Sequence, residues 1–138
     1  MYEILIVGGG PAGLTAAIYA ARAGKHVAVL ERGSTGGQII SAPLVENYPG
    51  IPSVSGTELA RQMTEQACTF GAEIVYTEAV GLEKTPAGFR VLCTDGVREA
   101  KTVILATGAA HRSLGLAAED ALTGCGVSYC AVCDGAFY

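Results

Sequence analysis

The fold is decided by the stretch Ile4-Leu5-Ile6-Val7-Gly8-Gly9-Gly10-Pro11-Ala12-Gly13. Four apolar residues, most of them β-branched, predict a strand that breaks into glycine. The alanine-rich run over residues 14–23 then predicts a helix, which Gly24 closes. This order of strand, tight turn and helix, with glycines at the GxGxxG spacing, is typical of a dinucleotide-binding βαβ unit.

Each glycine of this fingerprint has its own physical role. Gly8 lets the chain turn sharply out of the strand, Gly10 lets the backbone approach a pyrophosphate, and Gly13 lets the helix pack closely on the sheet. The pyrophosphate would lie on free N–H groups at the positive end of the helix dipole. A second apolar run ends at Glu31, about twenty residues past the loop, where a carboxylate accepts hydrogen bonds from ribose hydroxyls. The sequence therefore predicts a bound dinucleotide.

Length and charge restrict the class of protein. The 138 residues suffice for one domain, or for one domain and a piece of another. A net charge of −4 without a basic block argues against nucleic acid or an anionic membrane as partner. No stretch is long enough to span a bilayer, and Glu3 stands where a signal peptide would be basic. The odd number of cysteines, with a CxxC near a βαβ pattern, favours the cytoplasm.

The middle of the chain predicts a long loop, a helix and a meander. Residues 32–56 are rich in Gly, Pro and Ser, and we interpret them either as a ligand-wrapping segment or as an ordinary surface loop. Thr57 is the predicted cap of a helix that runs to about Phe70, with Leu59, Met63, Gln66 and Phe70 near one face. Strands are predicted over residues 73–83, 89–94 and 97–105, with Asp95-Gly96 as a hairpin turn. The last of these strands ends in the small residues Ala106-Thr107-Gly108-Ala109, which allow close approach of a backbone or a ligand.

A pair of cysteines, Cys130 and Cys133, forms a CxxC motif followed by Asp134. At a helix start this spacing permits a short disulfide ring and a stabilised thiolate, and the neighbouring acid can exchange the proton. An iron–sulfur cluster that includes Cys125 and a structural zinc site are the alternatives, but each needs a fourth ligand that the spacing does not supply. We therefore predict no metal site. The remaining two cysteines, Cys68 and Cys93, are predicted to be buried as small apolar residues.

These motifs together resemble the N-terminal portion of the low-molecular-weight thioredoxin reductases, which are class II pyridine nucleotide-disulfide oxidoreductases. The resemblance runs over essentially all 138 residues. Its most specific segment is Val127-Ser128-Tyr129-Cys130-Ala131-Val132-Cys133-Asp134-Gly135, and the glycine fingerprint is shared with many flavoproteins. The other matching segments are Gly36-Gly37-Gln38, Glu46-Asn47-Tyr48-Pro49-Gly50 and Ala106-Thr107-Gly108-Ala109.

The resemblance implies an α/β fold in which a Rossmann-like FAD-binding βαβ unit carries an inserted antiparallel β meander. It places the FAD-binding domain at residues 1–112 and the linker and start of an NADPH and disulfide domain at residues 113–138. The cofactor-binding residues that it implies for FAD are Gly8, Gly10, Pro11, Ala12, Gly13, Glu31, Thr35, Gly36, Gly37, Gln38, Asn47, Val80, Thr107, Gly108 and Ala109. The catalytic residues that it implies are Cys130, which would attack the thioredoxin disulfide, Cys133, which would face the flavin, and Asp134, which would donate a proton.

The activity that the resemblance implies is a thioredoxin-disulfide reductase. Electrons would pass from NADPH to FAD, then to the Cys130–Cys133 disulfide and on to thioredoxin, in a homodimer. The glycine fingerprint for NADPH and the segment that completes the FAD domain are absent, so we expect a truncated, inactive piece with exposed apolar surface. The alternatives are a flavoprotein reductase that feeds a peroxidase and a non-catalytic FAD- or nucleotide-binding module.

Overall fold

The computed structural model describes residues 1–135, apart from the side chains of Cys133 and Asp134. The chain divides into two compact units, Met1–Gly108 and Ala109–Tyr138. The first unit contains a six-stranded mixed sheet, and its α/β class agrees with the prediction. No helix in the described part of the chain is both long and apolar enough to cross a membrane.

The predicted strand, turn and helix form the start of the first unit. They are β1 (Tyr2–Val7) and α1 (Pro11–Arg22), and β2 (Val27–Glu31) follows. The helix begins three residues before the predicted start at residue 14. Pro11 occupies its first turn, where a missing N–H costs no hydrogen bond and the fixed φ suits the helix. Ala23 caps its C-terminus, next to Gly24 at a φ of +71°.

Strand order explains how the sheet is assembled. The remaining strands are β3 (Glu73–Tyr76), β4 (Ala79–Thr85), β5 (Gly88–Cys93) and β6 (Gly96–Leu105), and the order across the sheet is β3-β2-β1-β6-β5-β4. β1, β2, β3 and the second half of β6 run parallel, whereas β4, β5 and the first half of β6 form the antiparallel meander. Ala100 of β6 pairs with β1 on one side and with β5 on the other.

Side chains along the parallel strands point alternately to the two faces of the sheet and form two hydrophobic cores, one on each face. Ile6 and Val29 pack in the cluster that contains α1 and α2, whereas Leu5 and Leu30 pack against the meander. Successive side chains of a strand point to opposite faces, so a continuous apolar run is buried on both sides. This burial explains why β1 and β2 show no apolar–polar alternation in the sequence.

The run over residues 73–83 is not one strand, as the sequence predicts, but two. β3 pairs with β2, and the chain then leaves this edge at Thr77 and Glu78 to begin β4 in the meander. Thr77 is buried, its N–H donates to the Glu31 carbonyl at 2.9 Å, and its hydroxyl donates to Asp95 Oδ1 at 2.5 Å. These two contacts hold the crossing point between the two strands.

The hairpin between β5 and β6 lies one residue earlier than predicted. Cys93 pairs with Gly96, so the turn consists of Thr94 and Asp95. Gly96 instead opens β6 at a φ of +138°, and the guanidinium of Arg98 binds both oxygens of Asp95 at 2.8 and 2.7 Å. The hydrogen bonds from Arg98 and Thr77 lower the pKa of Asp95 to about 2.

The second long helix, α2 (Gly56–Thr69), is capped by Ser55 and not by Thr57 as predicted. The Ser55 hydroxyl accepts from the N–H of Glu58 at 3.2 Å, in the sequence pattern of a capping box. The buried face of α2 contains Leu59, Ala60, Met63 and Ala67, whereas Gln66 and Phe70, which the sequence places on that face, are exposed. Gly71, at a φ of +94°, follows the helix as predicted.

The loop between β2 and α2 folds back on itself. It contains a short 3-10 helix, Gly37–Ser41, and two isolated antiparallel bridges, Val45 with Val54 and Tyr48 with Ile51. Val45 is buried in the core next to α2, so the loop is anchored at its middle. In the second unit, α3 (Glu119–Leu122) and α4 (Ala131–Asp134) are short helices, and a bridge joins Thr123 to Val127.

Candidate functional site

The opening loop is packed so tightly that no residue larger than glycine fits at two of its positions. Gly8 has a φ of +106°, and a Cβ at this position would lie 2.2 Å from the carbonyl oxygen of Ala106. A Cβ at Gly13 would lie 1.9 Å from the carbonyl oxygen of Gly8. The end of β1, the end of β6 and the start of α1 therefore meet backbone to backbone. The close approach that the sequence predicts for the small residues after β6 is confirmed at Ala106.

Gly10 differs from its neighbours because nothing in this chain requires a glycine there. Its φ of −74° suits any residue, and the nearest atom to an added Cβ is the Cα of Gly37, 3.9 Å away. Gly10 is also the N-cap of α1, which has no side-chain cap and no acidic residue in its first turn. Unsatisfied N–H groups and an uncompensated helix dipole thus meet an open space, and this arrangement suits a phosphate.

Glu31 lies beside this space, at the end of β2. Its Oε2 accepts from the N–H of Gly9 at 2.7 Å, and its Oε1 accepts from the N–H of Gly33 at 2.9 Å. The two hydrogen bonds fix the carboxylate in place. Because a carboxylate offers about four acceptor sites, capacity remains for hydroxyl donors such as those of a ribose.

The segment from Thr35 to Gln38 contacts the opening loop through its glycines. The Gly36 N–H donates to the Gly9 carbonyl at 2.7 Å, and a Cβ on Gly37 would lie 3.3 Å from the Cα of Gly10. Gly36 and Gly37 both have positive φ, at +113° and +55°. The bare backbones of the two glycine stretches therefore pack against each other. Thr35 is half-buried, with its hydroxyl 2.9 Å from that of Thr64, and Gln38 is exposed.

The other predicted cofactor residues lie outside this cluster. Asn47 is exposed in the loop, and Val80, on β4, is 63% exposed. Among the described residues, no hydrogen bond joins either of them to the two glycine loops. Thr107 and Gly108 are exposed after β6, and Ala109 begins the second unit. The first unit thus brings together the opening loop, Glu31, Gly36 and Gly37.

The cysteine motif lies in the second unit. Cys130 is half-buried immediately before α4, and its N–H donates to the Ser128 hydroxyl at 3.1 Å. The backbone of Cys133 and Asp134 belongs to α4, but their side chains lie outside the part of the chain that the structure describes. The predictions for these two side chains therefore stay predictions.

The remaining cysteines are three free thiols. Cys93 is buried in the core beneath the meander, as predicted. Cys68 is exposed near the end of α2, so its predicted burial is wrong. Cys125 is exposed in the second unit. In the part of the chain whose side chains are described, no group of three or more His, Cys, Asp or Glu could hold a metal ion.

Sequence reasoning missed one residue that the structure makes prominent. This residue is Glu119, a buried carboxylate that accepts several hydrogen bonds in the second unit. The donors to its carboxylate are residues 113–116, just before it, and Tyr129, ten residues after it, and the sequence does not show that these groups converge on Glu119 rather than on Asp120.

The comparison with known families agrees with this geometry. The family model for pyridine nucleotide-disulphide oxidoreductases matches residues 2–138. The chain belongs to this family. The family name combines a pyridine nucleotide with a disulphide, and this chain contains both glycine loops and a CxxC motif. The predicted resemblance and the Rossmann-like α/β fold are both confirmed.

Individual members of the family are similar over the whole chain. The thioredoxin reductase of Listeria monocytogenes is 45% identical over 138 residues, which are 100% of this chain and 43% of the relative. The crystal structure of thioredoxin reductase from Streptococcus pyogenes is 50% identical, with a TM-score of 0.87 over 100% of this chain and 45% of that one. A ferredoxin-flavin thioredoxin reductase from Clostridium acetobutylicum is 36% identical, with a TM-score of 0.74 over 99% of this chain and 47% of that one. The chain therefore spans less than half the length of these family members.

Proposed function

We propose that this chain is the FAD-binding and disulfide-carrying part of a thioredoxin-disulfide reductase. The observation that carries the proposal is the open space at Gly10, where an uncapped helix N-terminus faces the bare backbone of Gly37 beside a fixed carboxylate, Glu31. Packing within the chain explains Gly8 and Gly13, but it leaves Gly10 without a reason. A ligand that passes directly over Gly10 supplies that reason.

Different residues of this cluster would bind the adenosine diphosphate part and the flavin part of FAD. The N–H groups at the start of α1 would hold the pyrophosphate, and Glu31 would accept from the adenosine ribose. Residues 35–38 and Asn47 would line the flavin side, residues 107–109 would close the site, and Val80 would lie near the adenine. When bound, FAD supplies a centre that takes up two electrons as a hydride and passes them to a disulfide.

The cysteine pair would carry out the exchange with the protein substrate. The Cys130 thiolate attacks the substrate disulfide, so that one S–S bond breaks, a mixed disulfide forms and the leaving thiolate takes a proton. The Cys133 thiolate then attacks the mixed disulfide, which releases the substrate as a dithiol and leaves Cys130 and Cys133 oxidised. Two electrons and two protons pass to the substrate. In this proposal Asp134 exchanges the protons.

The partners of the reaction are part of the same proposal. We take thioredoxin as the protein substrate because the Listeria and Streptococcus relatives are thioredoxin reductases. NADPH is the proposed electron donor, bound outside this chain, although the Clostridium relative is named for ferredoxin and flavin. A homodimer, a cytoplasmic location and a domain boundary near residue 112 stay predictions.

The substitution Gly10→Ala tests the FAD site without disturbing the fold. The added methyl meets no atom of the chain within 3.9 Å, so the free energy of unfolding without ligand should stay unchanged. The methyl occupies the space over which the pyrophosphate would pass, and we expect FAD to bind about ten- to a hundredfold more weakly, which corresponds to roughly 1–3 kcal/mol of overpacking. The measurement is a titration of the purified chain with FAD, followed by flavin fluorescence.

The matched control is Gly24→Ala, at the other end of the same helix. Gly24 has a φ of +71° and open space around it, so this change should lower stability and leave FAD affinity unchanged. Equal FAD affinity in Gly10→Ala and the unaltered chain would contradict the proposed site. Binding that weakens only in proportion to lost stability, in both variants, would also contradict it.

A further inference from the structure

We propose that Glu119 is a positioning residue for the redox segment, residues 128–130. Its carboxylate holds the phenol of Tyr129 and thereby fixes the turn that presents Cys130. This inference rests on the proposed function, because it concerns the same pair of cysteines. It adds a role for a network that lies entirely within the second unit.

Glu119 is an acidic residue that is only 3% exposed, in a unit whose other side chains are mostly exposed. Both carboxylate oxygens are occupied by donors. Oε1 accepts from the Leu114 N–H at 2.8 Å and from the Tyr129 hydroxyl, and Oε2 accepts from the Ser113 hydroxyl, the Gly115 N–H and the Leu116 N–H at 2.7, 2.7 and 3.2 Å. These hydrogen bonds, first of all that from Tyr129, lower the pKa of Glu119 to about 2. The carboxylate therefore stays ionised as the centre of the network.

Tyr129 is held from two directions. Its hydroxyl donates to Glu119, and this hydrogen bond raises the pKa of Tyr129 to about 12, so that the phenol remains a donor at neutral pH. Its ring stacks on His111, with the ring centroids 3.5 Å apart and an interplanar angle of 18°. Because Tyr129 directly precedes Cys130 in the chain, a fixed phenol restricts the backbone at the cysteine.

A second route joins Glu119 to the same segment through the backbone. The Thr123 hydroxyl donates to the Glu119 carbonyl at 2.9 Å, and Thr123 forms the isolated bridge with Val127. Ser128 then accepts from the Cys130 N–H at 3.1 Å. Side chain and main chain of Glu119 thus converge on residues 127–130, and satisfied networks of this kind make a segment rigid.

Rigidity at Cys130 affects the equilibrium between dithiol and disulfide. Oxidised glutathione converts the thiols of Cys130 and Cys133 to a disulfide and yields two molecules of reduced glutathione, with two electrons and two protons transferred. Ring closure is favoured when the turn keeps the sulfurs near each other, because less conformational freedom is lost. Release of Tyr129 should therefore disfavour the Cys130–Cys133 disulfide.

The decisive variant is Tyr129→Phe, which removes only the link between the carboxylate and the redox segment. The contacts of Glu119 with residues 113–116 do not depend on the phenol. We expect the equilibrium constant for disulfide formation against glutathione to fall about three- to tenfold, where tenfold corresponds to about 30 mV. Glu119→Gln should lower it at least as much, because the amide offers one acceptor oxygen where the carboxylate offers two.

The measurement uses the 138-residue chain equilibrated in glutathione buffers of known ratio, followed by thiol trapping and mass spectrometry. Asp120→Asn is the matched control, since it removes an exposed neighbouring charge and leaves the network intact; its equilibrium constant should match that of the unaltered chain. If Tyr129→Phe and Glu119→Gln form the disulfide with an unchanged equilibrium constant, the positioning role is refuted while the proposed function stands. If the unaltered chain forms no Cys130–Cys133 disulfide under any buffer, the proposed function fails and this inference fails with it.

Discussion

Gly8 and Gly10 lie two residues apart in one loop, yet a methyl group has opposite consequences at the two positions. At Gly10 the methyl would occupy space that no atom of the chain fills. At Gly8 it would be forced against the carbonyl of Ala106 by a backbone at a φ of +106°. The loop therefore combines one position where the fold requires glycine with one where the fold leaves room for a side chain.

The substitution Gly8→Ala should destabilise the chain in the absence of any ligand. The positive φ and the 2.2 Å approach to the Ala106 carbonyl act together, and we expect a loss of about 2–4 kcal/mol in the free energy of unfolding. Urea unfolding followed by circular dichroism measures it, with Gly10→Ala as the control that should unfold like the unaltered chain. A Gly8→Ala variant of unchanged stability would contradict the geometry of the loop.

Some residue-level expectations followed from the sequence because their causes are local. The roles of Gly8 and Gly13 depend on a strand that turns into a helix within a few residues, and this pattern is visible in the chain itself. The burial of Cys68 was mispredicted because it depends on which face of α2 meets the sheet. Ala67, one residue earlier, takes that place. The sequence around a single apolar residue in a helix does not show whether its side chain points to the core or to solvent.

At the scale of elements, α2 illustrates how a cap is selected. Ser55 and Thr57 are both hydroxyl residues near the helix start, and either satisfies the general preference for a cap. Glu58 decides between them, since Ser-x-x-Glu places the acid three residues after Ser55. The Thr57 hydroxyl donates to the Ile40 carbonyl in the preceding loop instead, at 3.3 Å.

The substitution Ser55→Ala should therefore cost about 1 kcal/mol of stability, within the range of roughly 0.5–2 kcal/mol found for lost caps. Thr57→Ala should change the free energy of unfolding by less than about 0.5 kcal/mol, because its contact lies on the surface. Chemical denaturation of the two variants side by side provides the measurement. A larger loss for Thr57→Ala than for Ser55→Ala would argue that the helix begins later than the structure indicates.

The crossing between β3 and β4 could not be predicted because the two strands pair with different neighbours, and the neighbour of β3 lies far away in the sequence. β3 pairs with β2, whereas β4 pairs with β5, the next strand along the chain. The signal in the sequence is the polar pair Thr77 and Glu78, which interrupts the run between the two strands. The Thr77 hydroxyl donates to Asp95, eighteen residues further along the chain. Tertiary contacts of this kind override local strand patterns.

At the scale of the whole molecule, acidic side chains with lowered pKa values govern the response to acid. Among the described residues, Glu58, Asp95 and Glu119 each have a pKa of about 2, and hydrogen bonding also lowers the pKa values of Glu3 and Glu73. A carboxylate whose folded pKa lies below its unfolded value of roughly 4 stabilises the fold while it is ionised. That stabilisation is present above about pH 4.5 and is lost as the pH falls towards 2.

The free energy of unfolding should accordingly decrease between about pH 5 and pH 2 and stay nearly constant between about pH 5 and pH 7. In Asp95→Asn, which cannot ionise, the decrease should be smaller, because the hydrogen bonds from Arg98 and Thr77 no longer favour a charged form. Urea unfolding at a series of pH values provides the comparison. An identical slope in the two proteins would show that Asp95 takes no part in the acid response.

The strand β6 belongs to two structures at once. Its first half closes the antiparallel meander on β5, and its second half completes the parallel layer beside β1, with Ala100 shared between them. If this strand detaches, the residues of both hydrophobic cores lose packing contacts at the same time. The first unit should accordingly melt in one step, and the amide protons of β6 should be among the last that exchange with solvent.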